Sequence, residues 1–182
     1  MHIVGLEDYR DLQNLFEDCR TGQLPRKPFM NGATPSYHDP TQAPPGKATA
    51  FMWQLMTYNL WGNPLNWDKA RDDWFKKQLA VWQQFAPNLD DANILSTDST
   101  TPLDIERTFG LTGGNIFQGA MTAGQLFSFR PVPGHAGYRT PLGGLYLCGA
   151  AAHPGGGVMG PPGRNAAREI LRARRRYRLT SP

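Results

Sequence analysis

The sequence predicts a mixed α/β fold, and three observations carry that prediction. Residues 6–19 and 67–85 place apolar side chains at helical spacing. Residues 29–34 and 48–58 are short apolar runs on either side of a proline-rich loop, the pattern of paired strands. Near the C-terminus an apolar run enters a glycine-rich turn that opens a further helical pattern. The length of 182 residues suits one domain or slightly more, and 40% hydrophobic residues exclude a disordered chain.

In chain order, Leu6, Tyr9, Leu12, Leu15, Phe16 and Cys19 recur at spacings of three and four and form the apolar stripe of a first helix, with Gly22 as its stop. Residues 29–34 read as a strand. Residues 35–47 (PSYHDPTQAPPGK) hold four prolines, each fixing φ, and read as turns. Residues 48–58 read as a second strand that pairs with the first. Trp67, Ala70, Trp74, Gln78, Val81, Trp82 and Phe85 share the core-facing stripe of a long helix, with Asn66 as N-cap and Pro87 beyond its end. Thr101, Pro102 and Asp104 read as N-cap, first helical residue and first-turn acid of a short helix ending at Gly110. Residues 111–140 are loop-rich. Residues 144–150 (GLYLCGA) read as a buried strand, which makes Cys148 an inert core thiol. Gly163, Ala166, Ala167, Ile170, Leu171 and Tyr177 form the apolar face of a last helix.

Gly (20) and Pro (16) make up about a fifth of the chain, and the glycines crowd between Gly110 and Gly163. The net charge of +4 is local in origin: residues 164–178 hold seven Arg against Glu169 alone. A nucleic-acid binder would spread its basic residues over a face, so no nucleic-acid partner is expected; the segment reads as the solvated face of the last helix, with a partner-docking or acidic-surface patch as the alternative. Two cysteines, Cys19 and Cys148, exclude a disulfide scaffold and any CxxC zinc or redox pair, and no histidine spacing suits a metal. No apolar run is long enough for a membrane span, and the N-terminus lacks signal-peptide character. The expectation is a soluble, cytoplasmic protein of a reducing compartment.

The run from Gly155 to Gly160 (GGGVMG) satisfies G-x-G-x-x-G literally. As the start of a Rossmann unit it fails, because that unit needs a further strand and an acid about 20 residues on, and residues 175–182 contain no acid. A glycine turn opening a helix still offers close backbone approach, N–H groups and a partial positive charge. It suits a phosphate, or a carbonyl that gains negative charge during reaction.

Residues 144–168 (GLYLCGAAAHPGGGVMGPPGRNAAR) resemble the C-terminal signature of the FAD-dependent phytoene-desaturase-like oxidoreductases. Residues 39–46 (DPTQAPPG), 102–121 (PLDIERTFGLTGGNIFQGAM) and 125–149 (QLFSFRPVPGHAGYRTPLGGLYLCG) resemble, in the same order, a branch named for a pyridine nucleotide-disulfide oxidoreductase domain. The resemblance implies the C-terminal part of a two-domain, Rossmann-like FAD-binding flavoprotein with a substrate-domain sheet. Residues 1–110 would belong mainly to the substrate domain, residues 111–136 to crossing and active-site loops, and residues 137–182 to the last strand and helix of the FAD domain.

The same resemblance implies a cofactor site. Gly149 and Ala150 would lie near the pyrophosphate and ribityl chain. His153, Gly155, Gly156 and Gly157 would line the flavin loop, and Val158, Met159 and Gly160 would bring the helix start to the ring. Phe117, Met121, Phe127, Phe129 and His135 are candidate walls of a substrate pocket. His153 is the candidate catalytic side chain, with hydrogen bonding to backbone or flavin as its alternative. Arg130 and Arg139 are expected in surface pairs, with cofactor phosphates or substrate acids as the alternative. The implied chemistry is hydride transfer from a small organic substrate to flavin N5. The family's N-terminal ADP-binding fingerprint has no match here; the expectation is a second chain that supplies it, with a truncated or processed piece of one longer enzyme as the alternative. A non-catalytic scaffold subunit that retains the fold is the competing function.

Overall fold

The computed structural model describes residues 1–157 and 159–180, with side chains described as far as residue 175. The chain divides into two compact units, residues 1–108 and the remainder from Phe109.

The first unit opens with a strand absent from the sequence expectation, β1 (His2–Val4), followed by α1 (Tyr9–Arg20). Asp8 caps α1: its side chain accepts from Arg10 N at 2.8 Å while Asp11 accepts from Asp8 N, a reciprocal box that satisfies otherwise orphaned amides. β2 (Met30–Ala33) and β3 (Phe51–Trp53) complete an antiparallel sheet in the order β1-β2-β3. Of residues 48–58, then, only three form strand, because β2 offers only a short edge. Val4 pairs with Met30 and both are buried; Ile3 and Trp53 flank Asn31 on the other face and stay about half exposed.

α2 (Trp67–Gln83) follows two 3-10 turns. Trp67, Ala70 and Trp74 are buried as the stripe predicts, and Trp67, Ala70, Leu60 and Leu103 form the unit's core. Two expectations fail here. Asn66 sits in helical conformation and its side chain bonds Leu60 O rather than capping α2. Phe85 lies past the end of α2 and is exposed. α3 (Pro102–Phe109) starts from Thr101, whose hydroxyl and amide both bond Asp104, so the cap read in the sequence is present. The α1 stripe is corrected as well: Leu15 is buried, while Leu6, Tyr9, Leu12 and Phe16 are exposed, because α1 turns its Leu15–Asp18 side inward. Asp18 is held there by Arg26, whose amide donates at 3.0 Å and whose Nε stands at 3.1 Å.

The second unit is loop up to α4 (Pro161–Thr180). The buried strand expected at residues 144–150 does not form. A strand needs a ladder partner, and here residues 138–147 double back on themselves, with Leu147 N donating to Tyr138 O and a single bridge between Arg139 and Tyr146. Cys148 is accordingly exposed rather than a core thiol. The small core is Tyr138, Ala152 and Ala166. On α4 only Ala166 of the expected apolar face is buried; Gly163, Ala167, Ile170 and Leu171 are exposed, and the Tyr177 side chain lies outside the described residues. Among the described residues no helix is long and apolar enough to cross a membrane.

Candidate functional site

Arg130 organises the second unit. Its side chain is buried, 1% exposed, and its five N–H groups all meet backbone carbonyls. Nε and Nη2 donate to Ala150 O at 2.9 and 2.7 Å, and Nη2 donates also to Phe117 O. Nη1 donates to Gln125 O at 3.1 Å and to Ala120 O at 3.3 Å. The surface pairing expected of Arg130 is thus overturned: among the described residues it pairs with no carboxylate, and a fully satisfied fork of carbonyls makes its burial tolerable. Arg139 does pair on the surface, with Glu169 at 3.5 Å and over the Tyr146 ring at 5.8 Å.

The Arg130 fork joins two sets of residues that the sequence assigned to different roles. Phe117, Ala120 and Gln125 belong to the segment expected to wall a pocket; Ala150 begins the expected cofactor loop. Side-chain contacts repeat the junction. A Cβ added at Gly156 would stand 2.6 Å from Phe117 Cδ1, so only glycine admits the ring. A Cβ at Gly155 would lie 3.5 Å from Met121 Sδ. The Phe127 and His153 rings lie 6.1 Å apart. Phe127 is held at φ 51° although 70% exposed, a backbone conformation unfavourable for a bulky side chain and more frequent at functional sites. Phe129 is half exposed in the same segment, and His135 sits in a turn closed by its amide on Val132 O; neither takes part in these contacts.

The loop is held from a second side. Tyr138, buried, donates its hydroxyl to His153 O at 2.9 Å and accepts from Asn165 Nδ2 of α4 at 2.8 Å. Gly149 O is taken by Ala152 N and Gly157 O by Met159 N, so four of the loop's carbonyls, those of Gly149, Ala150, His153 and Gly157, are engaged. Its amides are not: among the described residues, those of Ala150, Ala151, His153, Gly155, Gly156 and Gly157 donate to no protein acceptor. His153 Nδ1 is buried without a partner. Gly160 has neither a left-handed φ nor any atom within 4 Å of an added Cβ, so neither strain nor packing explains a glycine there, and space lies beside it. A loop with free amides, an orphaned imidazole nitrogen and open backbone fits a ligand rich in acceptor oxygens, as FAD is.

The helix start departs from the expectation. Pro161 and Pro162 carry no N–H, so the first donor α4 can offer is Gly163. Donors for a ligand come from the loop instead, and α4 adds only its partial charge. Met159 is exposed, and Val158 lies outside the described residues.

Sequence reasoning missed Arg130, Tyr138 and Asn165 as loop holders. One signal was present: between Glu106 and Glu169 the sequence contains no Asp or Glu, so a buried Arg130 finds no acid nearby in the chain. The remaining chemistry-bearing groups lie elsewhere. Burial, then the Asp18 charge, pushes the Cys19 thiol up to about 11, and its Sγ donates to Leu55 O, leaving it a thiol at neutral pH. A groove in the first unit lined by Leu24, Trp61, Lys69, Ala70, Asp73, Trp74 and Lys77 contains none of the expected site residues.

No protein-family model matches the chain, and no solved structure does. Curated proteins do. Pyridine nucleotide-disulfide oxidoreductase domain-containing protein 2 of Mus musculus is 44% identical over 170 residues, 93% of this chain and 29% of the relative; that of Rattus norvegicus is 44% identical over 171 residues. A limonene dehydrogenase subunit of Castellaniella defragrans is 27% identical over 93% of this chain and 31% of its own length. The 4,4'-diapophytoene desaturase of Staphylococcus haemolyticus is 27% identical over 87% and 31% respectively. The chain thus spans under a third of the length of these relatives. Over nearly its whole length, the chain is homologous to a segment of pyridine nucleotide-disulfide oxidoreductase domain-containing protein 2, the branch its motifs resemble.

Proposed function

We propose that the chain is part of an FAD-dependent oxidoreductase, in which it supplies the flavin-facing loop and the adjoining wall of the substrate pocket. The observation that carries this reading is the junction at Arg130, where Phe117, Met121 and Phe127 meet a loop that is held through the Ala150 and His153 carbonyls and whose amides are mostly unengaged among the described residues. FAD, when bound, supplies the hydride acceptor at N5 for an organic substrate.

This chain's residues do the holding. The amides of Ala150, Ala151 and Gly155–Gly157 offer donors to phosphate, ribityl or ring oxygens, and Gly160 leaves the backbone bare where a ring approaches. His153, with its free Nδ1, bonds an oxygen of cofactor or substrate; that role needs no proton transfer. Phe127 and Phe117 exclude water from the reacting face. The proposed division assigns residues 1–110 mainly to the substrate domain, 111–136 to the crossing loops and 137–182 to the FAD domain. The ADP-binding fingerprint comes from outside these residues, and the proposed arrangement places it in a partner chain.

The test is purification of the chain, tagged in its native host, with whatever protein accompanies it. A complex showing oxidised-flavin absorption bands that are lost in Gly160→Val is expected. A stable complex without flavin would sink the reading and favour a scaffold role.

A further inference from the structure

Arginine forks usually end on carboxylates, and this one does not. All five donors of Arg130 go to the carbonyls of Phe117, Ala120, Gln125 and Ala150. Carbonyl dipoles satisfy the hydrogen bonds but leave the charge without a counter-ion, and burial keeps water from screening it. The surroundings in the chain offer none: the stretch from Arg107 to Arg168 contains five Arg, no Lys, and no Asp or Glu. Of those arginines, Arg107 is neutralised by Asp68 and Arg139 by Glu169. Arg130 therefore leaves a fixed positive charge directly beneath the loop.

Its second effect is on the backbone. Two N–H groups on Ala150 O hold that peptide from the interior, and Tyr138 holds His153 O, so the segment is fixed at both ends through a carbonyl. The amides of Ala150, Ala151, His153 and Gly155–Gly157 stay unengaged among the described residues. Arg130 also draws Phe117, Ala120 and Gln125 to the same point, so one side chain sets the distance between the aromatic segment and the loop.

We propose that Arg130 is the positioning residue of the site: it fixes the loop to the aromatic segment and makes the loop a cradle for an electron-rich oxygen, phosphate or ring carbonyl. The ligand part rests on the flavin reading above; the positioning part does not.

The experiment compares the full-length chain with Arg130→Lys and Arg130→Met by amide hydrogen exchange, and measures affinity for two probes. ADP carries phosphate without the ring, and riboflavin carries the ring without phosphate. In Arg130→Met the amides of Gln118, Gln125 and Ala152 are expected to exchange at least about 10-fold faster while those of Ala166–Arg172 in α4 keep the wild-type rate. Arg130→Lys keeps the charge but loses the five-donor fork, so it is expected to loosen the same amides yet bind the preferred probe more tightly than Arg130→Met. The probe that Arg130→Met loses about 10-fold identifies which oxygen the loop serves.

Unchanged exchange at Gln118, Gln125 and Ala152 overturns the positioning role. Uniform acceleration that includes α4 also overturns it, since it shows a general structural arginine. Equal probe affinity in wild type and Arg130→Met overturns the ligand part while leaving the flavin reading intact. A wild type that binds neither probe overturns the ligand part, while the flavin reading is decided by the absorption of the purified complex and the positioning role by the exchange pattern.

Discussion

Two glycines four residues apart behave differently, and the difference is testable. At Gly156 an added methyl would meet Phe117 Cδ1 at 2.6 Å and Cα at 3.0 Å, so Gly156→Ala forces the loop off the aromatic segment. We expect it to destabilise the second unit by about 1–3 kcal/mol, read from chemical denaturation followed by far-ultraviolet dichroism. At Gly160 the methyl meets nothing, so Gly160→Ala is expected to change stability by less than about 0.5 kcal/mol while weakening flavin retention by the complex. Equal stability losses at the two positions would contradict the assignment of Gly156 to packing and Gly160 to ligand approach. Composition showed the glycine excess but not this division, because a glycine's reason lies in the atoms its absent Cβ would strike.

At the scale of elements, helices were legible wherever local chemistry decides them. α3 ends at Gly110, with φ 67°, as its sequence predicts, since caps and stops are contacts within a few residues. Strands were less legible: residues 144–150 are apolar enough, but a strand exists only with a neighbour to bond. The tie between α2 and α3 was not legible at all, because Asp68 and Arg107 are distant in sequence. They form a two-pronged pair at 2.6 and 2.9 Å, and the Arg107 hydrogen bond holds the Asp68 carboxyl below its ordinary 3.8. A depressed carboxyl pKa adds stability above the unfolded value and loses it as pH falls through the folded one. Thermal melts should therefore show wild type more stable than Asp68→Asn at pH 6, with the gap closing as pH falls below 3.8. A gap independent of pH would mean that packing, not charge, ties the helices.

For the molecule as a whole, the two units differ in what they bury. The first has a core around Leu60, fully buried, with Trp67 and Leu103; the second has Tyr138, Ala152 and Ala166, and is held largely by the polar bonds of Arg130 and Tyr138. All five tryptophans lie in the first unit, so their fluorescence reports on it alone. Leu60→Ala is expected to lower the stability seen by tryptophan fluorescence by about 2–5 kcal/mol. Arg130→Met is expected to leave that transition in place. A tryptophan transition that shifts equally in both variants would show the units to unfold as one.

The Thr101 cap, the turns, the pairing of β2 with β3 and the glycine loop followed from the order of residues, because each depends mainly on residues close in the chain. The resemblance of residues 102–168 to flavoprotein motifs likewise needed only the sequence. Which apolar stripes are covered, which glycines pack and which stand open, and the placing of Arg130 under the loop came from the folded chain. Those features depend on groups far apart in sequence. A guanidinium in an acid-free stretch reveals its partners only when the carbonyls of Phe117, Ala120, Gln125 and Ala150 are brought around it.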